Sequence, residues 1–314
     1  MNYYFAPMEG ITGYVFRNTF QEYFGGIHTW FSPFLSPKHD GGLRSGEIRD
    51  ILPENNSNVR LVPQILTNDA AAFCLTAERL KEYGYSEVNL NLGCPSGTVV
   101  SKHRGSGFLA VPEELDAFLQ EIYEKSPIAV SIKTRIGISH EEEWENILSI
   151  YEKYPIKELI IHTRLQKDFY NAPARPLMFA LAQKMLDVPL CYNGDIDSPD
   201  ALARVQAQVP GIERVMLGRG LIADPNLIRR LRGEAPVDKD TLGAFVETLL
   251  SDYSTKMSGG ERVILYKMKE IWVYMGACFT NSERYLKRIK KANHIADYEQ
   301  AVRELLREQE LKQQ

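Results

Sequence analysis

Cysteine is scarce in this chain. Four stand in 314 residues, at Cys74, Cys94, Cys191 and Cys278, too far apart to make a metal-ligand pair. No metal site is therefore expected, and no disulfide framework. The N-terminus shows no secretory pattern, so the four are expected to be reduced thiols in the cytoplasm. Positive charge is not in excess either. Lys and Arg number 37 against 41 Asp and Glu, a net charge of −4. Such a balance excludes a general nucleic-acid binder and confines any nucleic-acid surface to a local patch. No apolar run is long enough to cross a bilayer, so no membrane partner is expected. A dinucleotide fingerprint is missing as well. After the first strand stands Pro7-Met8-Glu9-Gly10, not a Gly-rich turn.

What is present suits one large α/β unit. The chain is 44% hydrophobic and 25% charged, ample for a core without staples. Strand patterns fall at 2–6, 27–31, 59–66, 87–92, 128–133, 158–162, 188–192 and 213–217. Helical patterns separate most of them, with Asn68 or Asp69, Pro112, and Asp197 or Ser198 as helix openers. Residues 32–53 read as a long loop with a single helical turn. Eight such units predict a (β/α)8 barrel over residues 1–235. An open doubly wound sheet is the alternative, and it would be long at eight units. A Gly/Pro/acidic linker follows at 233–240. Residues 241–314 then show only helical spacing, with Ile264, Leu265, Met268, Ile271, Trp272 and Met275 as core. The charged stretch 304–314 reads as a fraying helix.

Chemistry gathers at one end of the strands. Cys94 stands between the breakers Gly93 and Pro95, where strand 87–92 opens into a loop. Gln64, Asn91, Lys133, Arg135, His162, Asn193 and Arg219 stand at or just past other strand ends. In a barrel all of these belong to the C-terminal rim, where active sites form. Buried cations and amides there require partners. After strands seven and eight come Asn193-Gly194-Asp195 and Gly218-Arg219-Gly220. Glycine lets backbone N–H groups approach an anion, and Arg219 adds a donor fork, so these two turns are expected to hold a phosphate.

Ala6-Pro7-Met8-Glu9-Gly10, the Asn-Leu-Gly-Cys-Pro-Ser of 91–96, Lys133-Thr134-Arg135, His162-Thr163-Arg164 and these two turns occur in one order. Together they resemble the tRNA-dihydrouridine synthases. The resemblance covers the barrel from Tyr3 to about Leu231 and fits the helical tail in size. It implies FMN across the barrel mouth, reduced by NADPH or NADH, with hydride passing to C6 of a tRNA uracil and Cys94 giving a proton to C5. It implies that Pro7, Met8, Glu9, Gln64, Lys133, His162, Asn193, Gly194, Asp195, Gly218 and Arg219 bind the flavin. Asn91, Arg135, Tyr170, Lys102 and Arg104 would meet the substrate. In the tail, Arg262, Lys267, Lys269, Arg284, Lys287, Arg288, Lys290 and Lys291 face only Glu261, Glu270 and Glu283 in the same span. They are expected to grip RNA phosphates. A monomer is expected. The loop 171–176 departs from the family pattern. Two alternatives stay open: an FMN barrel oxidoreductase acting on a free small molecule, which has no use for a basic tail, and a non-catalytic tRNA-binding protein, which has no use for Cys94.

Overall fold

A computed structural model of the chain describes residues 1–312. Its strands are β1 (Asn2–Phe5), β2 (Thr29–Phe31), β3 (Leu61–Val62), β4 (Gln64–Ile65), β5 (Glu87–Leu92), β6 (Ala129–Arg135), β7 (Leu159–His162), β8 (Leu190–Asn193) and β9 (Arg214–Leu217). All pair in parallel, in the order β3-β2-β1-β9-β8-β7-β6-β5-β4. First and last strands meet, with Tyr3 opposite Val215, as a closed barrel requires.

The expected third strand is split in two. Pro63 has no N–H to give a ladder, so the pairing changes there. β3 pairs with β2 on one side, and β4 pairs with β5 on the other. Eight expected strands thus become nine segments, and the covalent chain at Pro63 carries the ring across the gap. Leu35 reinforces the seam, giving its N–H to Gln64 O and accepting from Leu66 N.

Between the strands the helices lie largely where capping chemistry puts them. Asp69 accepts from Ala72 N at 3.0 Å to open Ala70–Glu82. Ser198 accepts from Ala201 N to open Pro199–Gln208, and Pro112 leads Pro112–Lys125. The stretch 32–53 carries more helix than expected. Ser45–Ile51 makes two turns, and Glu47 ties its start by accepting from Arg44 N and Ser36 N.

Inside the barrel the filling is uneven. Tyr4, Phe31, Val62, Ile160, Cys191 and Met216 form an apolar cluster. Gln64, Asn89 and Ser131 are equally buried but bond to one another instead.

Among the described residues the C-terminal region has four α-helices, Lys239–Lys256, Gly260–Met275, Glu283–Lys291 and Ile295–Glu308, with one 3-10 turn at Gly276–Cys278. The apolar positions expected from their spacing are buried, Trp272 among them, with its Nε1–H on Tyr298 OH at 2.7 Å. Phe245 packs on the first barrel helix, Tyr14–Tyr23, with ring centroids 6.3 Å from Phe16 and 6.2 Å from Phe20. The buried core runs continuously through that contact. The last stretch is not a fraying helix. After Glu308 the chain extends, and Leu311 pairs antiparallel with Phe279. Backbone bonds from Thr280 N to Glu310 O and from Lys312 N to Cys278 O hold it. Residues 313 and 314 of that expectation lie outside the described residues.

Candidate functional site

A cavity of roughly 500 Å³ opens at the C-terminal ends of the strands. Among the residues expected for a cofactor, Pro7, Met8, Lys133, His162, Asn193, Gly194, Asp195, Gly218 and Arg219 line it. Tyr170, expected on the substrate side, lines it too. Sequence reasoning missed Arg164 and Tyr274. Arg164 was visible as the third residue of His162-Thr163-Arg164. Tyr274 carried no local signal, because it comes from the helical region and reaches the cavity only through packing.

Among the described residues the cavity wall carries three cations, Lys133, Arg164 and Arg219, and two carboxylates, Asp195 and Asp197. Arg164 is buried and directs Nη2 at both oxygens of Asp195, each at 2.6 Å. Burial pushes the Asp195 carboxyl up. The bonds from Arg164 and from Ala174 N outweigh it and hold the carboxyl low. Arg164 also donates Nε–H to Ala172 O and meets His162 Nε2 at 3.0 Å. The unusual loop 171–176 is thus anchored from below by Arg164 and Asp195. Gly194 lets it settle, at φ +151°, because a Cβ there would come within 2.7 Å of Ala174 Cβ.

His162 is neutral at pH 7. Burial pulls its pKa well down, and Lys133, Arg135, Arg164 and Arg219 add to that effect. Lys133 borders the cavity, and burial in the barrel wall lowers its ammonium to about 8, helped by Arg135. A cation held there with like charges nearby gains from an anion in the cavity. Arg219 lies over the Tyr170 ring, 4.0 Å from its centroid, and His162 is 5.9 Å from the same ring. Tyr170 is 47% exposed and roofs the cavity from the loop after β7.

Cys94 sits at the neighbouring strand end and is the only one of the four cysteines that is not buried. Burial of its surroundings still raises its thiol pKa, although Ser96 N–H, Lys133 and Arg135 pull the other way. The thiol is therefore protonated at neutral pH. Its backbone is tightly held. Gly93 N and Cys94 N both donate to Asn91 Oδ1, at 3.0 and 3.0 Å, and Ser106 N and Oγ both donate to Cys94 O. Gly105 packs on this turn at φ +55°, where a Cβ would fall 2.8 Å from Cys94 O.

Several expected residues sit elsewhere. Arg135 is fully buried and spends its donors on three carbonyls, Gly93 O, Leu165 O and Phe169 O, at 2.8 to 3.0 Å. It staples the Cys94 turn to the Tyr170 loop. Gln64 lies inside the barrel, bonded to Asn89 and Asn91. Glu9 is exposed and borders an adjacent cleft with Lys267. Lys102 is exposed on the rim, and Arg104 beside it donates to Asn68 Oδ1.

The family model for dihydrouridine synthase (Dus) matches residues 4–313. The chain belongs to the dihydrouridine synthase family. It is 28% identical over 267 residues to the tRNA-dihydrouridine(16) synthase of Aquipseudomonas alcaligenes, covering 79% of this chain and 81% of that one. It is 30% identical over 262 residues to the enzyme of the same name from Ralstonia nicotianae, covering 80% and 79%. A probable tRNA-dihydrouridine synthase of Staphylococcus aureus is 29% identical over 229 residues, covering 70% and 68%. Among solved structures, morphinone reductase superposes with a TM-score of 0.53 at 14% identity, over 78% of this chain and 88% of that one. That likeness is one of fold.

In this family member the basic tail divides into two sets. Lys267 gives its ammonium to Gly10 O and Lys269 to Ala292 O. Arg284 pairs with Glu308 at 2.7 Å, and Arg288 pairs with Glu304. These acids lie on the last helix, Ile295–Glu308, outside the basic span itself. Arg262, Lys287, Lys290 and Lys291 remain exposed, and the last three share the helix Glu283–Lys291. Among the described residues no helix is long and apolar enough to cross a membrane.

Proposed function

We propose that the chain reduces specific uridines in tRNA to 5,6-dihydrouridine, as a cytoplasmic monomer. The observation that carries this reading is a protonated, partly exposed Cys94 beside a cation-walled cavity in a barrel of the dihydrouridine synthase family. The cavity fits FMN. It has room for the ring system, a cation at Lys133 with no carboxylate acting on it among the described residues, and the Gly194 and Gly218-Arg219 turns for a phosphate.

In that arrangement residues 1–235 carry the chemistry and residues 241–314 grip the tRNA. Pro7 and Met8 line the cavity and would meet the flavin ring. Lys133, which lines the cavity, would offset negative charge on a reduced ring held there. Arg219, with the Gly194 and Gly218 turns, takes the phosphate. When bound, FMN would supply hydride chemistry toward C6 of the uracil, with NADPH or NADH as the source of its electrons. Cys94 gives its thiol proton to C5, which its raised pKa keeps available at neutral pH. The target base must leave its stack to arrive there, and Tyr170 is the exposed aromatic ring beside the cavity.

The purified protein should show the visible bands of an oxidised flavin and release FMN on denaturation. With NADPH it should convert uridine to dihydrouridine in tRNA that lacks the modification, at positions mapped by mass spectrometry. A colourless protein that fails to take up FMN would remove the proposal. A flavoprotein that leaves tRNA unchanged but reduces a free pyrimidine would transfer the function to small-molecule chemistry.

A further inference from the structure

The barrel interior below Cys94 is polar, whereas its opposite wall is apolar. Four side chains there form one hydrogen-bonded line. Gln64, Asn89 and Ser131 are 0% exposed and Asn91 is 7% exposed. The line has a direction, and the backbone sets it. Gly93 N and Cys94 N can only donate, so the Asn91 atom they meet is the carbonyl oxygen. Asn91 Nδ2 must then donate to Gln64 Oε1, at 2.7 Å. Gln64 Nε2 in turn donates to Asn89 Oδ1 at 2.8 Å, and Asn89 Nδ2 to Ser131 Oγ at 3.0 Å. Ser131 completes it by donating to Val88 O at 3.5 Å. No member of the line can flip its amide without breaking two bonds.

We propose that Asn89 and Ser131, acting through Gln64 and Asn91, are positioning residues for Cys94. Barrel interiors are ordinarily filled by branched apolar side chains. A satisfied buried amide gains little over such a side chain in stability, so core filling does not account for this line. Its exit from the barrel is the pair of N–H groups of Gly93 and Cys94, on the N-terminal side of the thiol. Register supports it, because Gln64 stands opposite Asn89 and Asn89 opposite Ser131 across adjacent strands. The inference rests on the proposed role of Cys94 for its catalytic meaning, but not for its test.

The test is alkylation of the intact protein by iodoacetamide across the alkaline range, with modified Cys94 quantified by mass. Cys74, Cys191 and Cys278 are buried and do not compete. Asn89→Leu should free the turn, so that Cys94 reacts several-fold faster at a given pH and its profile shifts to lower pH. Ser131→Ala should do the same to a smaller degree, and Ser131→Thr, which keeps the hydroxyl, should restore the wild-type profile. On tRNA, Asn89→Leu should lower kcat by about tenfold or more, with KM nearly constant. A wild-type alkylation profile in folded Asn89→Leu protein overturns the proposal. If that variant does not fold, an unchanged profile in Ser131→Ala overturns it. Failure of the wild type to reduce tRNA would refute the proposed activity and leave the alkylation result standing.

Discussion

At the site, burial perturbs two ionisable groups, Cys94 and Lys133. Cys94 is held protonated by the desolvation of its turn. A donor of that kind loses activity as pH rises through its raised pKa, so the rate should stay flat across neutrality and fall on the alkaline side. Cys94→Ala should lower the single-turnover rate on tRNA by about 10²- to 10⁴-fold while the flavin spectrum is retained. A loss of less than about tenfold would exclude the thiol as the proton source. Lys133 works in the opposite direction. Burial lowers its ammonium to about 8, so above that pH the empty cavity loses a cation, and an incoming anion must first bring a proton back. FMN affinity should therefore weaken as pH rises above about 8. Lys133→Met should remove that dependence and weaken binding at neutral pH by about 10- to 100-fold, measured by flavin fluorescence titration.

Turns and strand ends decide what the elements can carry. The Cys94 turn depends on Gly105, whose φ of +55° and contact with Cys94 O leave no space for a methyl group. Gly105→Ala should destabilise the fold by about 1–3 kcal/mol and cost activity beyond that loss, while FMN release stays normal. Equal activity per folded molecule in the variant would show that the turn tolerates displacement. At the other end of the barrel, Glu158 precedes β7. It accepts from Tyr4 OH at 3.1 Å and pairs with Arg214 at 3.3 Å. Burial nonetheless raises its pKa to about 7 from an ordinary 4.5. The native state then binds a proton that the unfolded chain has released, so stability falls as pH rises between those two values and stays lower above the upper one. Glu158→Gln should flatten that fall and raise stability at pH 8 by about 1–3 kcal/mol, read from denaturation midpoints at two pH values. A wild type equally stable at both would disprove the ionisation.

Across the whole molecule the helical region does two jobs. Phe245 closes the apolar face of the first barrel helix against Phe16, Phe20 and Phe24, and Tyr274 completes the cavity wall. Removing the region would expose that face, so its proposed RNA role is better tested by charge. Lys287, Lys290 and Lys291 are exposed along one helix, whereas Arg284 and Arg288 are held by acids. Changing the three lysines to Glu should weaken tRNA binding and flatten its salt dependence by about 2 to 3 log–log units. The flavin spectrum should not change. An unaltered slope would move the RNA interface off this helix.

The barrel was legible because its signals are local. Alternating strands, Asp69 and Ser198 as caps, Pro112 at a helix start and the special residues at strand ends all depend on neighbours a few positions away. The same local reading picked out Lys133, His162, Asn193 and Arg219, which line the cavity, and the family resemblance added Pro7, Met8 and Asp195. Contacts between distant segments were not legible. Nothing near Arg135 in the chain shows that its donors end on Leu165 O and Phe169 O. Glu304 and Glu308 neutralise Arg288 and Arg284 from 16 and 24 residues on. The polarity of the line from Ser131 to Cys94 exists only because three strands stand in one register. Adjacent residues thus settle which elements form and which ends carry chemistry. Whether a given cation meets a ligand, a carbonyl or a carboxylate is settled by packing, because a charge pairs with whatever the fold brings within about 3 Å of it.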